Sequence, residues 1–197
     1  MPTTEIHPST LSAKDMDELA ARLDAMNDDD RVSFIRATGA KTQARLWEAS
    51  VGRTTTLTDL VPAGVAATTE VIHLGKNSLP LLNHFEKRFC RSADDPEAIY
   101  GYNEGATRPL IGPGYFVARE FPDRNEVGVD YFRVPPAGTS LPAPWPFVKP
   151  NEAGLQRFVF ANMIDFLRKV STHVTIGRAF KNGHATHNYF LLCRIGV

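Results

Sequence analysis

The segment VTIGRAFKNGHATHNYFLLCR, residues 174–194, constrains the fold more than any other. Asn182-Gly183 is the strongest short signal for a two-residue β-turn, and both flanking arms alternate. With those two residues in the turn, 181 faces 184, and the register places Arg178 opposite His187, Ile176 opposite Tyr189 and Val174 opposite Leu191. One face then carries Val174, Ile176, Arg178 and Phe180, and the other Thr175, Gly177 and Ala179 against Phe190 and Leu192. Both faces are half apolar. Such a sheet is covered on both sides or curls round an interior.

A second hairpin follows from GPGYFVAREF and EVGVDYFRVP joined by PDRN, with 121 opposite 126. Its register sets Arg119 diagonal to Asp130. AIYGYNEG reads as another strand, and EVIHLGKNS as a short strand entering a turn. Two stretches carry apolar residues three and four apart, which predicts helices. One is 79–91, with Leu79, Leu82, Phe85 and Phe89; the longer is 155–170, with Leu155, Phe158, Val159, Met163, Phe166, Leu167 and Val170. Between strand and helix, residues 134–154 hold six prolines. Proline lacks a donor and fixes φ, so this stretch is an ordered loop or a cover.

The N-terminal quarter is helical. Met16, Leu19, Leu23 and Met26 form one face, with Ser12 and Asp15 as a capping pair. Two more short helices stop at Gly39 and Gly52, and residues 1–10 read as a loose tail. The Thr, Pro and Gly of 53–70 mark a connector. The chain is therefore expected to divide into a helical segment, 1–61, and an α+β domain, 70–197. The latter is an antiparallel sheet of about five to six strands packed with the 155–170 helix.

Composition narrows function. The chain has 197 residues, with 22 basic and 22 acidic side chains. It lacks the basic excess of a general nucleic-acid binder. Two cysteines, Cys90 and Cys193, make no disulfide framework, and no metal-ligand spacing occurs among the six histidines. The first residues do not read as a signal peptide, no apolar run is long enough for a transmembrane helix, and a reducing cytoplasm is the expected location. GKNS before the 79–91 segment lacks the upstream glycine of a phosphate loop. Cys90, beside Arg88 and Arg91, is the better candidate for a reactive thiol, and Cys193 for a buried one.

What remains is a pair of arginines set among aromatics in both hairpins. Guanidinium groups fork onto carboxylates and phosphates and stack on rings. The expected function is a small-molecule-binding module whose partly apolar pocket selects an amphipathic or anionic ligand. Arg178, His187, Tyr189, Arg119, Asp130, Tyr102 and His173 are its candidate binding residues, under a cover formed by 135–150 with Trp145 and Phe147. An alternative is an enzyme with His173 or His187 as general base, oriented by Asp130 or Glu120. A third reading is a protein-interaction module. The sequence points to no cofactor.

Overall fold

The computed structural model describes residues 11–81, 83–95 and 97–197; the expected tail over 1–10 lies outside them. Three helices open the described chain: α1 (Ala13–Asp24), α2 (Asp28–Ala37) and α3 (Ala40–Ala49). Ser12 Oγ accepts from the Asp15 amide (3.2 Å) while the Asp15 carboxylate accepts from the Ser12 amide (2.7 Å), which closes the capping box expected there. A single helical turn, α4 (Leu57–Leu60), interrupts the connector.

Eight antiparallel strands then form a closed barrel in simple sequence order: β1 (Val71–Asn77), β2 (His84–Arg91), β3 (Ile99–Glu104), β4 (Phe116–Phe121), β5 (Glu126–Asp130), β6 (Met163–Lys169), β7 (Val174–Lys181) and β8 (His184–Arg194). β1 closes the circle against β8, with Gly75 beside Leu192. Two one-turn helices, α5 (Arg108–Ile111) and α6 (Gln156–Val159), lie in the connections β3–β4 and β5–β6.

This corrects the expected five to six strands packed with one long helix. The antiparallel pairing stands, but the sheet curls on itself, and neither long helix forms: each stretch supplies a strand instead. Residues 84–91 are β2, and of 155–170 only Gln156–Val159 is helical before β6 begins. In β2 the cause is the inward Lys87, which leaves the interior rings Phe85 and Phe89 four apart, and in β6 it is burial on both faces. In β6, Met163 and Leu167 point inward while Ile164 and Phe166 point outward, so apolar residues recur without clean alternation.

The Asn182-Gly183 turn holds, with φ of +52° and +79°, and Lys181 pairs with His184. Beyond Phe180–Ala185 the register shifts, and Arg178 meets Tyr189 rather than His187. Three β8 residues, 186–188, lie opposite the single residue Ala179. The shift is by two, so every side chain keeps its face. In the β4–β5 hairpin, Phe121 pairs with Glu126 as expected.

Each wall of the barrel has its own cover. The helices pack outside β6, β7, β8 and β1, burying Leu23, Ile35 and Leu46 against Val174, Ile176 and Leu191. Each such side chain contributes about 1.5–3 kcal/mol relative to exposure. Arg168 ties helix to barrel: its guanidinium stacks 3.8 Å from the Trp47 ring, donates to the Trp47 carbonyl (2.8 Å) and pairs with Glu126 (2.6 Å). The proline-rich stretch covers the outside of β2–β4. Trp145 packs there on Tyr102 and Tyr115, with its indole N–H donated to Glu70 (2.6 Å). Trp145 thus seals an outer wall and not the mouth of a pocket.

The two ends differ as well. One is a floor: Leu60 and Val61 insert beneath the strands, and Asp59 holds Lys169 (2.6 Å). The other is the mouth, where the connections 78–81, 105–115 and 182–183 gather with the two ends of 131–162, whose middle runs down the outer wall so that the Ser140 amide donates to Asp94 (3.2 Å).

Candidate functional site

Interior-facing residues alternate along every strand. They include Val71 and His73 on β1, Phe85, Lys87 and Phe89 on β2, and Ile99 and Asn103 on β3. Phe116, Val129, Tyr131, Asp165, Leu167, Phe190 and Leu192 complete most of the lining. Three rings rest on glycines of neighbouring strands. A Cβ at Gly75 would stand 2.6 Å from Phe85, at Gly101 2.3 Å from Phe116, and at Gly177 2.2 Å from Phe190. The missing side chains let these rings lie against the wall.

Within this aromatic lining stands one charged cluster. Lys87 is 2% exposed and reaches inward from β2. Its ammonium donates to Asn103 Oδ1 (3.0 Å) and to the Tyr131 hydroxyl, and lies 3.1 Å from Asp165 Oδ2. The Tyr131 hydroxyl donates to Asp165 (3.2 Å), and Asn103 Nδ2 to the Gly114 carbonyl (2.9 Å). Phe116, Phe190, Phe85 and the Tyr131 ring surround the ammonium at 5.0–5.7 Å from their centroids. Phe160, arriving from the β5–β6 connection, stacks on Tyr131 at 5.4 Å.

Burial lowers the Lys87 pKa, against the opposing pull of Asp165. It also pushes the Tyr131 hydroxyl well above its ordinary range, helped by the adjacent carboxylate. Two opposite charges in an apolar barrel are a poor device for stability. A well-packed apolar pair of the same volume would do as well or better. Their presence marks the interior as a candidate site.

Toward the floor the polar atoms are handled differently. His73 Nε2 bonds the Leu60 carbonyl (2.9 Å), which assigns that nitrogen the proton. Burial, helped by Arg194 and Lys87, drives its pKa down to about 3, so the ring is neutral at pH 7. Its Nδ1, with Thr55 Oγ1 and Thr175 Oγ1, is buried and has no hydrogen-bond partner among the described residues.

The residues singled out from sequence lie elsewhere. Arg178 and Tyr189 meet on the outer face, where the guanidinium sits 5.2 Å from the Tyr189 ring and donates to the Thr186 carbonyl (2.8 Å). His187 is exposed beside the β8 irregularity. Arg119 and Asp130 form an outer-wall ion pair at 2.8 Å, with Arg119 stacked on Phe121 at 3.9 Å. Tyr102 belongs to the Trp145 cluster, and His173 sits in the β6–β7 turn with Nδ1 3.5 Å from Arg194. The structure brings Arg178 to Tyr189 and Arg119 to Asp130, but does not gather the set into one pocket. Neither His173 nor His187 has a hydrogen-bonded carboxylate among the described residues to orient it as a base. Cys90 is buried and its thiol is pushed up to about 12, chiefly by burial and then by Glu70, which makes it inert.

Sequence reasoning missed Lys87, Asp165 and Tyr131. One signal was available: each is the polar member of an otherwise apolar every-second-residue series, such as Phe85-Lys87-Phe89 or Met163-Asp165-Leu167.

Among the described residues, no group of three His, Cys, Asp or Glu side chains is placed to hold a metal ion, and no helix is long and apolar enough to cross a membrane. Compared with protein-family models, curated proteins and solved structures, the chain matches none.

Proposed function

We propose that the barrel is a small-molecule-binding module whose interior receives an amphipathic ligand, with Lys87 as the anchor for its head. The observation that carries this reading is the buried ammonium held by Asn103, Tyr131 and Asp165 inside an aromatic lining. An eight-stranded barrel is of the size that either fills with side chains or holds one small ligand. A mostly apolar interior with few convergent polar groups is the usual form of such a site.

The chemistry of the anchor limits the head group. An ammonium only donates, so the ligand presents an oxygen acceptor: a carboxylate, a carbonyl or a hydroxyl. Asp165 already balances the lysine charge, so a carboxylate gains less here than at an unpaired lysine. The ligand oxygen takes the place of Asn103 or Tyr131 as an acceptor from Lys87.

The test is calorimetry with dodecanoate, dodecanal and dodecanol, on wild type and on Lys87→Met/Asp165→Leu. The double variant keeps the interior neutral and filled. Binding of at least one probe by wild type, weakened tenfold or more in the double variant, is the expected result. No binding by wild type, or equal binding by both, refutes the reading.

A further inference from the structure

The chain is neutral overall, but its two ends are not alike. Among the described residues ten large hydrophobic side chains are exposed, and eight of them lie in the connections at the mouth. Leu81, Leu110, Phe147, Leu155 and Phe158 are the most exposed of these apart from Phe132; Phe147 reaches 91% and Phe158 67%. Single exposed apolar residues need no explanation, whereas a cluster at one end does.

Charge follows the same axis. The mouth connections carry Arg108, Arg133, Lys149 and Arg157 against one acid, Glu152. At the floor end, the connections β2–β3 and β4–β5 carry Asp94, Asp95, Glu97 and Asp123 against Arg124. Arg108 and Arg133 are partly engaged by Glu104 (2.7 Å) and Asp130 (3.6 Å). Lys149 and Arg157 have no carboxylate within ion-pair reach among the described residues. Apolar and basic groups also share one cleft of about 480 Å³, where Arg108, Leu110, Phe147, Lys149 and Leu155 meet.

We propose that the mouth of the barrel docks onto an anionic lipid bilayer. Phe147, Phe158 and Leu110 enter the interfacial layer, and Lys149, Arg157 and Arg108 lie among the lipid phosphates and carboxylates. The partner follows from complementarity. A surface both apolar and basic matches the one common surface that is apolar within and negatively charged at its face. A nucleic acid would satisfy the cations but leave the aliphatic residues Leu81, Leu110 and Leu155 without a match. The acidic floor end then points away from the bilayer, so the charge separation orients the molecule. Docking in this pose stands apart from what the interior holds, although it would bring the mouth to a source of amphipathic molecules.

The experiment is co-sedimentation of the full chain with phosphatidylcholine vesicles, with and without phosphatidylserine at one-third of the lipid, at low and at physiological salt. Three variants accompany it: Phe147→Ser/Phe158→Ser, Lys149→Glu/Arg157→Glu, and Val51→Ser, whose exposed side chain lies on the helical segment far from the mouth. All four proteins are checked for equal melting temperature, which these exposed sites allow.

Wild type is expected to bind the phosphatidylserine vesicles and not the neutral ones, less so as salt rises. Each mouth variant should lose about tenfold or more in partition, since each basic residue near such a surface is worth roughly a factor of five. Val51→Ser should bind as wild type does. The proposal is overturned by no vesicle binding at low salt, by mouth variants that bind as well as wild type, or by an equal loss in Val51→Ser. Retention on heparin without vesicle binding, abolished by Lys149→Glu/Arg157→Glu, also overturns it in favour of a polyanion. A failure here leaves probe binding in vesicle-free solution untouched, so the two readings fail separately.

Discussion

The two halves of the barrel interior contain similar polar groups in opposite states. Near the mouth, Lys87 of β2, Asn103 of β3, Tyr131 just after β5 and Asp165 of β6 satisfy one another across the interior. Near the floor, His73 Nδ1 and the hydroxyls of Thr55 and Thr175 have no hydrogen-bond partner among the described residues. The upper group is costly to break, because each member neutralises or bonds another. The lower group is cheap to lose, because its unpaired atoms contribute nothing favourable. A closed network that a ligand must enter by exchanging partners suits a recognition site. Isolated buried acceptors suit a plug that seals the far end.

The largest test of this contrast is Lys87→Met. It leaves Asp165 charged and unpaired in the interior, and urea denaturation should show a loss of about 3–5 kcal/mol. Adding Asp165→Leu should return most of that loss; a double variant no better than the single one would mean that the pair acts as packing alone. Next comes pH. His73 has a folded pKa of about 3 against about 6.5 when exposed. The unfolded chain therefore binds the extra proton between those values, and stability falls as pH drops below about 6.5 by up to ~1.4 kcal/mol per unit, ending near pH 3. His73→Gln should flatten that limb of the stability profile.

Tyr131→Phe should cost about 1–3 kcal/mol by removing a hydroxyl shared by three partners. Thr175→Val, at the floor, should be neutral or stabilise by about 1 kcal/mol, since it removes a hydroxyl that bonds nothing and keeps its shape. If thermal melts rank these two the other way, the division of the interior into a satisfied and an unsatisfied half is wrong.

The same contrast explains what could be read from the sequence. The outer hairpin faces were legible because ordinary rules govern them. Asn182-Gly183 made its turn, Arg119 found Asp130, and Val174 and Ile176 shared a buried face, here beneath the helices. The upper interior was not. In β6 the inward charge of Asp165 interrupts an apolar series and the outer face supplies Ile164 and Phe166 between its members, while in β2 the inward charge of Lys87 leaves Phe85 and Phe89 four apart on the same inner face. The resulting spacing of three and four imitates an amphipathic helix. The residues that make the site are those that disguised its strands. The outer-wall arginines drew attention instead because a guanidinium beside aromatic rings looks alike on either side of a sheet. Only closure of the barrel distinguishes in from out.

That closure has a further consequence. Gly75 and Leu192 come from opposite ends of the barrel sequence, and α2 and α3 lie over the region where those ends meet. β1 therefore presents a bare edge, and the helices lack much of their seat, until β8 has been made. A nascent chain that has finished seven strands is still open on both flanks, a template for pairing with its neighbours. The last strand ends that exposure along the whole length of the molecule at once, and it is where a cell would feel a truncation most sharply.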